Sequence, residues 1–207
     1  MGVLNGSISY ALYHVDGALP DDFRDHFLER IEEFVFRPLT PDSPEDMSVG
    51  WVVVGELLNT TFSRENVFRG SDYLCLSLRV DRWSLPAALF KAVLTERVQR
   101  YCEEQGRARL SKLENEQLRE VVRREFKEQM LPSAAIVDVV WSLSSGEVRF
   151  WSHSKRTSEL FQELFESTFA VRLLPSGPYI TARAMDLSPS QIAALADVES
   201  DTFTEHM

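Results

Sequence analysis

Hydrophobic positions change period several times along this chain, and each change predicts an element. Residues 7–15 alternate, with Ile8, Tyr10 and Leu12 on one face, which reads as a half-buried strand. Past Pro20, Asp21 and Asp22 suit a helix N-terminus, and Phe23, Phe27, Ile31 and Phe34 recur at helical spacing. Pro38, Pro41 and Pro44 end that helix and open a loop reaching Met47. Two strands follow, one in the glycine-bounded run 50–55 and one where Leu74, Leu76, Leu78 and Val80 alternate with polar or small residues. Residues 59–70 lack a clean period and read as a strand pair or a loop.

The period then becomes helical for almost fifty residues. Leu85-Pro86 opens a helix to about Gln105 with Leu89, Val93, Leu94, Val98 and Tyr101 on its apolar side, and Gly106 offers the stop. Ser111 with Glu114 three residues on is a capping box for a second helix, whose apolar stripe is Leu118, Val121, Val122 and Phe126, up to Pro132. So short a connection makes the pair an antiparallel helical hairpin. Residues 134–152 read as a β-hairpin turning at Ser144-Ser145-Gly146. Leu160, Phe161, Leu164, Phe165 and Phe169 mark an amphipathic helix, before strands at 171–174 and 179–184 joined by a Gly177-Pro178 turn. Ser188-Pro189-Ser190-Gln191 starts a last short helix, with an acidic, frayed tail beyond it. The predicted class is α+β. Two antiparallel-sheet-plus-helix halves, 1–84 and 133–187, flank a charged hairpin at 85–132, and 188–207 holds the short helix and tail.

Composition adds little until charge is resolved by segment. At 44% hydrophobic and 26% charged the 207 residues suit a folded globular chain with a substantial core. Cys75 and Cys102 have no metal-ligand spacing and sit in apolar patterns, as reduced core thiols do. No charged-then-apolar leader opens the chain and no run approaches the ~20 apolar residues of a membrane span, so a cytoplasmic location is expected. The net charge of −10 argues against a nucleic-acid partner, but it is segregated. Residues 1–50 carry 3 basic and 10 acidic groups and 186–207 carry 0 and 5, whereas 79–130 carry 12 and 9.

Familiar catalytic signatures are missing: there is no phosphate-cradling glycine loop, nucleophile elbow, His-Glu-x-x-His or Cys-x-x-Cys. His14, His26, His153 and His206 share no ligand spacing, and Glu29, Glu32 and Glu33 read as the solvated face of the first helix. No catalysis, metal or cofactor is expected. Trp51, Trp83, Trp141 and Trp151 lie in strand-like contexts and read as core. The remaining candidate is the hairpin. Lys112, Arg119, Arg123 and Lys127 project within about 80° of one another at 100° per residue. Arg107 and Arg109 lie in the connecting loop, and Arg97 and Arg100 on the preceding helix. Such a stripe tracks a phosphate backbone. Glu116 interrupts it, however, and Glu96/Arg100, Glu120/Arg124 and Arg124/Glu128 have the i,i+4 spacing of a solvated helix that needs no partner.

A set of landmarks also stands in a fixed order along the chain. The residues are Phe34-Val35-Phe36-Arg37-Pro38, then Met47-Ser48-Val49-Gly50-Trp51-Val52, then Leu85-Pro86. After these come Gly106-Arg107-Ala108-Arg109-Leu110-Ser111-Lys112-Leu113-Glu114, Met130-Leu131-Pro132 and the strand pair with Trp141. In this order the landmarks resemble the RdgC family of bacterial recombination-associated DNA-binding proteins, and the chain is similar to a short member of that family, without its C-terminal region. The resemblance implies a non-catalytic, nucleoid-associated homodimer that binds duplex DNA without sequence preference, in recombination or replication, and restrains a recombinase indirectly. The alternative is a protein-interaction module on the same dimeric scaffold that does not bind DNA.

Overall fold

Alternation of β-branched and leucine side chains builds the centre of the molecule, and aromatic helices cover it. The computed structural model describes residues 2, 9–184 and 187–196. Its elements are β1 (Ala11–Asp16), α1 (Phe23–Glu33), β2 (Met47–Val52), α2 (Arg64–Val67), β3 (Phe68–Arg69), β4 (Tyr73–Arg82) and α3 (Ala87–Glu104). They continue with α4 (Lys112–Glu128), β5 (Ser133–Ser142), β6 (Glu147–Phe150), α5 (Lys155–Phe169), β7 (Arg172–Pro175), α6 (Pro178–Ala184) and α7 (Pro189–Ala196). One antiparallel sheet runs β2-β4-β5-β6-β1-β7, with β3 added beside β4. The class is α+β as expected, but the two halves do not form separate sheets. β4 pairs along its whole length with β5, from Tyr73 opposite Ser142 to Arg82 opposite Ser133, and β1 sits between β6 and β7.

That register places Leu74, Leu76 and Leu78 opposite Trp141, Val139 and Val137 on one face. α1 and α5 cover this face with Phe27, Ile31, Phe161, Phe165 and Phe169. Phe161 stacks on Phe150 at 4.1 Å between ring centroids, and Trp141 meets Phe27, Phe165 and Phe169 at 5.2–5.6 Å. Each such ring contributes about 1.5–3 kcal/mol through burial. The Trp51 indole N–H donates to Thr168 Oγ1 at 2.8 Å, so the core's largest side chain on β2 is also polar-satisfied by α5.

The opposite face is buried as well and mixes the apolar Cys75 and Val140 with polar side chains. Ser77 Oγ donates to Asp138 Oδ1 at 2.7 Å, and Arg79 pairs with Asp81 at 2.7 Å while its guanidinium lies 4.0 Å from the Phe36 ring centroid. Phe36 reaches this face by passing under Gly50, where a Cβ would overlap the Phe36 backbone. The chain then re-enters the edge of β2, with Phe36 N–H donating to Trp51 O at 3.0 Å.

Several expectations are corrected. On β1 the core residue is Tyr13, flanked by Ala11 and Val15, whereas Tyr10 is exposed. Both sheet faces are covered, so apolar residues occur on both and alternation could not name the inner one; Ile8 lies outside the described residues. Residues 59–70 form a loop, then α2 capped by Ser63 and the two-residue β3. Residues 178–184 are helical, not a strand: Pro178 occupies a first-turn position, where its missing N–H costs nothing, instead of a hairpin turn. Trp51 and Trp141 are core, but Trp83 and Trp151 are half-buried just past strand ends. Cys75 is buried and Cys102 only partly so. The capping bonds of Ser188 and Gln191 form as expected ahead of α7, and the acidic tail past Ala196 lies outside the described residues. None of the described helices is long and apolar enough to cross a membrane.

The Gly50 crossing makes a direct prediction. Gly50→Ala should lower the stability measured by denaturant unfolding by about 1–3 kcal/mol, the range for inserting a methyl into packed backbone. An unchanged midpoint would mean that Phe36 is free to retreat.

Candidate nucleic-acid interface

α3 and α4 form an arm that leaves the sheet between two paired strands, since Arg82 ends β4 opposite Ser133, which starts β5. The helices pack mainly on each other. Contacts advance along α3 and into the turn after it as they retreat along α4, from Phe90 with Phe126 (5.7 Å) through Arg97 with Glu125 (2.8 Å) to Arg107 of the turn with Glu114 (3.0 Å), which makes the pair antiparallel. α3 stops where Gly106 takes φ +59°: its N–H donates to Glu103 O and that of Arg107 to Cys102 O, the two bonds of a Schellman turn. α4 starts on the expected capping box, with Glu114 N–H donating to Ser111 Oγ and Ser111 N–H to Glu114 Oε2 at 2.8 Å. Hydrogen bonds from Ser111, and then the Arg107 guanidinium, hold the Glu114 carboxyl below the usual carboxylate range.

Helical phase along the arm differs slightly from expectation. Phe90 is the buried residue of α3, and Leu89 is 54% exposed. On α4 Val122 is buried and Val121 exposed, because the contact with a single neighbouring helix is narrower than an apolar stripe on a sheet.

The basic residues separate into two groups. At the outer end, Arg107, Arg109 and Lys112 are exposed, and Arg109 and Lys112 make no ion pair among the described residues. Arg119, also exposed, lies over the Phe90 ring at 5.7 Å. Arg97 and Arg100 are engaged by Glu125 and Glu96. At the root the stripe meets acid from another part of the chain. Asp46 pairs with Arg123 at 3.2 Å and with Lys127 at 2.9 Å, and Asp42 pairs with Arg124 at 3.1 Å. Lys127 is 4% exposed, donates to Ser43 O and sits over the Trp83 ring. Lys127 was expected on an open basic stripe and lies instead under the 37–46 loop; Arg123 is drawn to the same carboxylate.

Arg124, Asp42, Asp46 and Trp83 are the participants that sequence reasoning missed. The Arg124–Glu128 pair was visible as i,i+4 spacing and forms at 3.0 Å. Nothing local announces Asp42 or Asp46, which reach α4 across about eighty residues of chain.

Elsewhere the described residues offer little chemistry. They contain no cluster of three or more His, Cys, Asp or Glu able to hold a metal ion. Burial pushes the Cys75 thiol up to about 11, away from nucleophilic use. His153 bonds Ser9 at 2.8 Å on the surface and His26 bonds Asp22, while His206 lies outside the described residues.

Fold and site together define an antiparallel α+β protein that projects a helical arm, whose outer part exposes Arg107, Arg109, Lys112 and Arg119 alongside Glu103, Glu104 and Glu116. No protein-family model and no curated protein matches the chain.

The capping box gives a pH prediction. A carboxyl held low stabilises the folded arm above the ordinary carboxylate range and loses that contribution as pH falls through its lowered value. The protection of the amides of 111–115, taken relative to the intrinsic exchange rate at each pH, should therefore fall on acidification, whereas in Glu114→Gln it should stay constant across that window. Equal acid sensitivity in both proteins would discount the role of Glu114.

Proposed function

We propose that this chain is a non-catalytic, sequence-independent duplex-DNA binder of the RdgC type that works as a homodimer, with the outer end of the arm on the phosphates. The observation that carries the reading is the uncovered cation group Arg107, Arg109, Lys112 and Arg119 on a narrow support that extends from an acidic body. Such a group suits backbone contact, because phosphates are met by exposed guanidinium and ammonium groups and require no base-edge geometry. A role in recombination or replication, within the nucleoid, belongs to the same reading.

A second reading, a protein-interaction arm without DNA binding, draws on Leu113, Val121 and Leu89, which are 65%, 50% and 54% exposed on the two helices. It predicts no retention on heparin and recovery of a protein partner after nuclease treatment.

Fluorescence anisotropy with a labelled duplex separates the two. The DNA reading expects affinity to fall with salt, by about 0.9 log units per log unit of salt for each neutralised phosphate. Arg109→Glu with Lys112→Glu and Arg119→Glu should weaken binding at least tenfold and flatten that slope. Salt-independent or absent binding by the wild type sinks the proposal.

A further inference from the structure

We infer that Arg123, Arg124 and Lys127 form a second phosphate-binding subsite at the arm root, held shut by the carboxylates of the 37–46 loop and opened when a duplex displaces them. The inference rests on the DNA reading above and adds its regulation. Three cations occupy little more than one turn of α4, and Asp46 and Asp42 reach all three, while Glu128 also pairs with Arg124 at 3.0 Å and Glu120 approaches Arg123 at 3.9 Å from the helix itself. Pro41, Ser43 and Pro44 from the loop and Glu120 from the helix complete the cleft.

The loop is built to let go. None of residues 37–46 is buried, and its internal bonds join only Thr40 and Ser43. Its hold on α4 consists of the ion pairs and one carbonyl, of Ser43. The Arg124–Asp42 pair is exposed, and such pairs are weak and screened by salt, whereas in the Lys127–Asp46 pair only the carboxylate faces solvent. The backbone of Asp46 stays fixed, because its carbonyl accepts from Trp83 N–H at 2.9 Å beside the β2–β4 ladder. Opening therefore needs only the Asp46 side chain and residues 40–44 to move. The burial of Lys127 comes from this loop together with Trp83, so the same movement uncovers it.

Phase supplies the ligand. Lys112, Arg119, Arg123 and Lys127 follow one line along the helix, about 22 Å from first to last at 1.5 Å per residue. A duplex laid on the outer cations along this line brings further phosphates to the root, where they compete with two carboxylates for the same donors.

The test compares wild type with Asp42→Asn/Asp46→Asn on one labelled duplex at fixed salt. The double variant should bind at least fivefold more tightly, and adding Arg123→Gln and Arg124→Gln should cancel the gain. Binding equal to or weaker than wild type overturns the inference. Hydrogen exchange provides a measurement that needs no variant: duplex should accelerate exchange in 37–46 of the wild type, and unchanged or slower exchange overturns the latch. If wild type binds no duplex, the functional reading fails by itself. The latch is then decided without nucleic acid, by whether Asp42→Asn/Asp46→Asn speeds exchange in 37–46; no change overturns it.

Discussion

The antiparallel register between β4 and β5 is the constraint on which the rest of the molecule depends. Ten consecutive pairs, from Tyr73–Ser142 to Arg82–Ser133, join strands separated by the whole helical arm. A slip of one residue would turn Leu74, Leu76, Leu78, Val139 and Trp141 away from α1 and α5, and would carry Ser77, Asp81 and Asp138 into the aromatic core. The cost of moving those polar groups into an apolar core keeps the register unique. The same ladder holds the two ends of the arm side by side at Arg82 and Ser133, where Ser133 Oγ also donates to Arg82 O. Continuing β2 against β4 then sets Asp46 beside Trp83, in reach of Lys127 and Arg123.

Charge acquires its meaning through that geometry. A net −10 spread evenly would repel a polyanion everywhere. α3 has 18 residues and so extends roughly 27 Å, several times the ~8 Å Debye length at physiological salt. Acid on the body is largely screened at the outer end, where Arg109 and Lys112 stand without partners among the described residues. At the root the body's carboxylates are in contact and dominate. α4 and the turn before it therefore offer open cations at the outer end, while the three cations at the root are engaged by carboxylates.

Where neighbouring residues decide a structure, the sequence was readable. The Ser111–Glu114 box, the Gly106 stop, the Ser188 cap and the proline-ended loop after α1 are short-range hydrogen-bonding and steric events, and they form as read. The leucine alternation of β4 and the phenylalanine spacing of α1 and α5 likewise identified their core faces. Reading failed where two solutions were locally equivalent. Both faces of β1 carry apolar residues, and the choice of Tyr13 over Tyr10 follows from which side α5 occupies, where Phe161 meets the Tyr13 ring. Residues 178–184 carry β-branched and aromatic residues compatible with a strand, yet Pro178 suits a helical first turn and the segment joins no strand of the sheet.

By itself, then, the sequence determined the α+β class, the order of nearly every element, and an arm of two capped helices rich in arginine and lysine, because propensity, caps and periodicity act within a few residues. That the strands on either side of the arm make one sheet, and which cations of the arm are open, follows from contacts between distant parts of the chain. Asp42 and Asp46 are remote in sequence from Arg123, Arg124 and Lys127, and ion pairs depend on distance in space. Helical phase placed Lys127 on a basic stripe, and the loop folded back from β2 put it out of solvent.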